Sequence, residues 1–241
     1  MLSVVINNIH LLTKSARMKK RFAVASLCIL MCACDIDQCG NDIDLGRLDL
    51  DETSQGFVPY SGDETLTFED HNGVKHQLTS REGRQVSNTR LVVNTLCRGN
   101  IEKLNFDDQE EYYQTQRMQI AYFDQSGNQV FYIDLLTLFE EADQPGAIAI
   151  YDLLSVNPSI GDFTIGDLNI ITKARQNELS PSFEEVVLQG SAYVGDTVLF
   201  GKEYKDVYRS ALLEDEITFY NHTEGVIAFV FSEDEYWVLS D

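Results

Sequence analysis

Apolar and acidic residues alternate from Asp42 to Leu45 and again from Leu48 to Asp51, and from Phe57 onward the chain reads mainly as short strands divided by turn residues. Three stretches share one local grammar. They are Thr65 to Val74 with Gly73 near its end, Ile120 to Phe131 around Gly127, and Ile217 to Ile227 around Gly225. Each runs from an aromatic strand end through Asp or Asn and a few polar residues to glycine, then into a second apolar strand. Glycine takes the positive φ of a tight hairpin and Asn or Asp bonds to its own turn, so each stretch predicts a hairpin.

Further strands are expected at Ala147 to Leu154, Phe163 to Thr172, Phe183 to Val194, Thr197 to Phe200 and Tyr236 to Ser240. Helix signals are sparse. Thr137 and Glu140 form a capping box within Ile133 to Ala142, and Asp206 to Leu213 is long enough for two turns. The expected class is mainly β: an antiparallel sandwich or barrel-like sheet with one or two short helices.

Ahead of this lies a different pattern. Met18-Lys19-Lys20-Arg21 is a basic head, followed by twelve apolar or small residues, 22–33, and then acidic sequence from Asp35. Spanning a bilayer takes about 20 apolar residues. Twelve behind a basic head read instead as a secretory signal peptide. Residues 1–17 are expected either to extend that head or to precede the true start at Met18.

Leu30-Met31-Cys32-Ala33-Cys34 resembles the lipobox of bacterial lipoproteins through the small Ala33 and the apolar Met31. The resemblance implies cleavage before Cys34 and acylation of its sulfur, a membrane anchor worth about 0.8 kcal/mol per buried methylene. Phe57 to Tyr60 with Asn72-Gly73, and a final stretch including Tyr204, Phe219 to Asn221, Gly225 to Phe229 and Tyr236 to Leu239, resemble uncharacterised outer-membrane lipoproteins of the Bacteroidota type. That implies a β-rich envelope domain and no particular activity. The expected layout is an upstream segment and signal over 1–33, an acidic tether over 34–56 and a β-rich domain over 57–241. The expected location is the outer membrane, on its periplasmic or surface face.

Charge narrows the partners. The net charge is −21, and losing the leader's five basic residues makes it −26. Such a surface repels phosphate backbones, so nucleic acid is a poor partner; a protein or glycan partner remains open. Beyond the leader, Cys39 and Cys97 are the candidate disulfide pair, a bridge worth about 4 kcal/mol for so long a loop. The alternative is a free cysteine in the tether and a buried one in the core.

Site chemistry is thin. His71 and His76 flank the Asn72-Gly73 turn and His222 stands apart, which reads as exposed turn histidines and not a metal centre. Asp35 to Gly40 opens like a calcium loop but has Gly46 where the twelfth-position carboxylate belongs. Gly195 to Lys202 departs from a phosphate loop, and Ser191 lacks the glycine frame of a nucleophile elbow. Acidic neighbours such as Asp107-Asp108, Glu110-Glu111 and Glu184-Glu185 read as solvated faces. No catalytic residue, cofactor or metal is expected. Paired aromatics such as Tyr122-Phe123, Phe131-Tyr132, Phe219-Tyr220 and Tyr236-Trp237 are the surplus. Strand neighbours point to opposite faces, so one of each pair is free to leave the core for a contact surface. The function expected is a lipid-anchored envelope protein with a non-catalytic binding or assembly role. A hydrophobic-ligand carrier and a surface glycan-acting enzyme are the alternatives.

Overall fold

The computed structural model describes residues 40–97, 108–141, 148–161, 165–176, 191–211 and 215–240. They form β1 (Ile43–Leu48), α1 (Glu52–Gly56), β2 (Thr65–Asp70), β3 (Lys75–Ser80), β4 (Gln85–Cys97), β5 (Gln109–Phe123) and β6 (Gln129–Glu141). There follow β7 (Ile148–Pro158), β8 (Leu168–Gln176), β9 (Ser191–Leu199), β10 (Lys202–Ser210), β11 (Ile217–Asn221), β12 (Gly225–Ser232) and β13 (Glu235–Leu239). The class is mainly β, as the sequence predicts.

The contacts divide the chain into two compact units. The smaller takes Thr95–Gln109 with residues before Ile43. Within it Gln109 clasps the chain, accepting from Gly40 N at 3.2 Å and donating to Asn41 O at 3.1 Å. The larger unit carries the sheet.

The strands lie in the order β8-β7-β6-β5-β3-β2-β13-β12-β11-β10-β9, with β1 and β4 joined to β5 off this path. The sheet is open. Neighbours along this order pair antiparallel, and β1 lies parallel beside β5. It folds over on itself, because buried side chains from both of its halves meet in one core. Tyr122 and Phe131 stack at 5.0 Å, Phe131 meets Phe229 at 5.7 Å, and Phe229 meets Phe68 at 5.5 Å. Each such ring contributes roughly 1.5–3 kcal/mol by leaving water.

All three predicted hairpins form, joining β2 to β3, β5 to β6 and β11 to β12. Gly73, Gly127 and Gly225 sit at φ 80°, 90° and 84° in their turns. At Gly225 space matters as well as φ. The Tyr60 ring lies where a β-carbon would stand, and its hydroxyl accepts from Val226 N at 2.6 Å.

Both predicted helices are corrected. Phe131 to Glu141 pairs residue for residue with Pro158 to Ile148, and eleven ladder positions outweigh one capping box. Asp206 to Ser210 belongs to β10, where Asp206 takes φ 52° in a bulge. The helix that forms, α1, lies in the acidic stretch, capped by Asp51 accepting from Thr53 N at 2.8 Å.

A buried carboxylate holds it there. Asp152, 0 % exposed in β7, accepts from Ser54 Oγ at 2.8 Å, Asp51 N at 3.2 Å and Thr137 Oγ1 at 2.9 Å. Arg175 completes the set, with Nη2 donating at 2.8 Å and Nε 2.7 Å from the other oxygen. A buried charge needs such a set, since desolvation is otherwise costly.

Candidate functional site

The β9–β10 hairpin is bent. Its register shifts on either side of Val207, Asp206 N donates to Asp196 Oδ1 at 3.3 Å, and Tyr193 OH donates to Asp206 Oδ1 at 2.7 Å. Beyond the bend the hairpin becomes a flap across the face of the sheet away from the main core. Leu199 and Tyr204 pack there on Ile227, Ala228, Phe219 and Val238 in a second, smaller cluster.

At the tip, Leu199 pairs with Lys202, leaving Phe200 and Gly201 as a two-residue turn at φ 52° and 81°. Positive φ at both positions is the I′ hairpin geometry, normally given to Asn-Gly or Gly-Gly. A phenylalanine there is a backbone outlier. Its ring lies 4.7 Å from that of Tyr236, yet Phe200 stays 44 % exposed.

Facing the tip is the β2–β3 turn. Asp70 Oδ1 accepts from Val74 N at 2.9 Å and Asn72 N at 2.8 Å, and His76 Nε2 lies 3.1 Å from Oδ2. The bond from Val74, with those from His76 and Asn72, outweighs desolvation and holds the Asp70 carboxyl below its usual range. His71 N donates to Tyr236 O at 3.1 Å and its ring meets Tyr236 edge-on at 6.3 Å. Between flap and turn lies an open groove of about 420 Å³, walled by Glu69, His71, Phe200, Lys202, Tyr204 and Tyr236. Lys202 Nζ sits 5.2 Å over the Tyr204 ring and 3.4 Å from Glu224.

The groove offers aromatic faces, the Glu69 and Asp70 carboxylates and one lysine. Among the described residues no group of three or more His, Cys, Asp or Glu is placed to hold a metal ion. His71 and His76 do not converge. His76 stacks on Trp237 at 4.0 Å, and His222 rests against Phe57 at 6.0 Å. Ser191 is buried, its Oγ accepting from Asn169 N at 2.7 Å, and Glu111 accepts from Asn94 at 2.9 Å.

Cys97 is disulfide-bonded; Cys39, its candidate partner, and Cys34 lie outside the described residues, as do Asp107, Glu184 and Glu185. Three of the four aromatic pairs divide, with Tyr122, Phe131 and Tyr220 buried and Phe123, Tyr132 and Phe219 half-buried, whereas Tyr236 and Trp237 are both half-buried. Phe200 itself is missed by sequence reasoning, which ends a strand on it; the adjacent Gly201 is the available signal of a turn. No protein-family model, curated protein or solved structure matches the chain.

Proposed function

We propose that this is a lipid-anchored cell-envelope protein, acylated at Cys34 and held at the outer membrane, that binds a protein partner through its β9–β10 flap without catalysis. The anchor rests on the basic head, short apolar run and Ala33-Cys34 junction. The binding role rests on one observation above all: an aromatic residue is kept exposed in backbone geometry that glycine or asparagine would fill at lower cost. Such strain is found where a ligand or partner is engaged.

The surroundings support a protein partner. Strand β9 ends the sheet, and it displays Tyr193 at 60 % exposure and Val198 at 62 %, with Val194 and Phe200 also exposed. Large apolar side chains left exposed along an edge strand are a ready contact surface for another protein. Rings packed against one another through the described core favour a surface role over carriage of an acyl chain within the fold.

Two measurements test this. Labelled palmitate enters the parent and not Cys34→Ser; equal labelling removes the anchor. A photo-crosslinking amino acid at position 198 yields a discrete adduct in envelope preparations, lost with Phe200→Asn. Absence of any adduct, or its persistence in that variant, removes the flap reading.

A further inference from the structure

A second depression lies elsewhere on the larger unit, where β5 and β6 turn their outer faces to solvent beside the β3–β4 turn. It measures about 450 Å³, and its chemistry differs from that of the flap groove. Ala121 pairs directly with Tyr132, and Phe123 with Gln129. Side chains directly opposite on one face stand about 5 Å apart at Cβ. A methyl group opposite a phenol therefore leaves a hollow floored by Ala121 and walled by the half-buried Tyr132 and Phe123 rings.

The rim is held in place. The Arg81 guanidinium lies 4.4 Å from the Phe123 ring centroid, and its Nη2 donates to Gly127 O at 3.1 Å. Gly83 N donates to Ser80 Oγ at 3.1 Å, fixing the turn that carries Glu82. On the far side, Arg117 donates to Asp134 at 2.8 Å. With the Gln119 amide oriented to accept, its oxygen lies 3.0 Å from Arg117 Nη2, which leaves the Gln119 NH2 group as a donor.

The composition of the wall selects the occupant. Gln85, Gln119 and Gln129 bring three primary amides, Gln119 presenting its NH2 group as a donor and Gln85, whose NH2 donates to Glu82 O, its oxygen as an acceptor, together with the Ser80 hydroxyl. Arg81 and Glu82 cancel, so the wall has no net charge in a chain of −21. An anion would meet Glu82 and a single guanidinium already engaged with Gly127; a cation would meet Arg81. A purely apolar molecule would strip water from the amides without replacing their bonds. What fits is a molecule with flat apolar C–H faces for the two rings and a dense rim of hydroxyls that both donate and accept.

We propose that this cleft binds an uncharged sugar unit of a glycan, with Tyr132 and Phe123 under the ring face and the glutamine amides and Glu82 on its hydroxyls. The site stands apart from the flap and does not depend on it.

Saturation-transfer NMR on the full chain tests the assignment. The probes are neutral oligosaccharides (maltotriose, cellotriose and triacetylchitotriose), with a galacturonic acid trimer as the charged arm. At least one neutral trimer receives saturation from the parent. Ala121→Phe, which fills the hollow from the outer face and leaves the core untouched, weakens that binding at least tenfold. Tyr132→Ala does the same, while Phe200→Asn leaves it unchanged. The proposal is overturned if no neutral trimer binds to folded protein, if only the charged trimer binds, or if binding survives Ala121→Phe. Near-UV circular dichroism of each variant establishes that a lost signal is not lost folding.

Discussion

Replacing Phe200 by asparagine separates the needs of the fold from those of the partner surface. The left-handed region costs an ordinary L-residue about 1–2 kcal/mol, and asparagine much less. Phe200→Asn therefore recovers about 1 kcal/mol or more at φ 52° and creates Asn-Gly with Gly201, the favoured pair for this turn. Against this stands the Tyr236 contact at 4.7 Å, worth about 0.5–1.5 kcal/mol. A ring only half removed from water adds about 1 kcal/mol of apolar burial. These terms nearly cancel.

The expected change in folding stability is within about 1 kcal/mol, or a shift of under about 4 °C in Tm for a chain of this size. Truncating a core aromatic would instead cost about 3–5 kcal/mol. Urea unfolding followed by tryptophan fluorescence measures the stability, since Trp237 lies next to Tyr236. The position-198 crosslink measures binding, which is expected to vanish. A loss above about 2 kcal/mol would show that Phe200 serves the fold and refute the argument from strain. An intact crosslink at unchanged stability would refute its role in binding.

Other perturbations probe the frame. Asp152→Asn strands Arg175 in a pocket where its side chain is 16 % exposed, and should cost about 3–5 kcal/mol in urea titration. Asp152→Asn with Arg175→Met should be less damaging than Asp152→Asn alone, and an equal or larger loss would contradict an ion-pair origin. Gly225→Ala sets a β-carbon against the Tyr60 ring at φ 84°, so a loss of about 2–5 kcal/mol is expected from strain plus overpacking. Glu64 supplies a pH test. Burial pushes its carboxyl up, but bonds from Ser61, Tyr122 and Gly62 prevail and bring it down to about 2. A depressed folded pKa means that stability is fully present above the ordinary glutamate range and lost as pH falls from about 4.5 toward 2. Glu64→Gln should flatten that limb of the urea midpoint against pH; an unchanged limb assigns the acid sensitivity elsewhere.

What could be read in advance follows the range of the forces involved. The three hairpins were legible because Asp or Asn, a polar pair and glycine within a few residues settle a turn locally, and Gly73, Gly127 and Gly225 adopt the φ that this chemistry requires. Ile133 to Ala142 misled because its capping box is also local, whereas the pairing that overrides it comes from Ile148 to Pro158, farther along the chain. The same reason hid the helix at Glu52–Gly56, whose anchor Asp152 lies about a hundred residues onward. The flap groove draws walls from three stretches, near residues 70, 200 and 236, that no sequence window contains. Aromatic pairing told that half of those rings would face outward, but not which would gather. Phe200 is the instructive case. Alternation through Val198 assigns it to a strand, and only the cross-strand partnership of Leu199 with Lys202 forces it onto the turn. A sequence tuned for hairpin stability alone would place asparagine there, so the departure from local preference is what motivates the proposed partner role of Phe200, visible only when backbone and residue are read together.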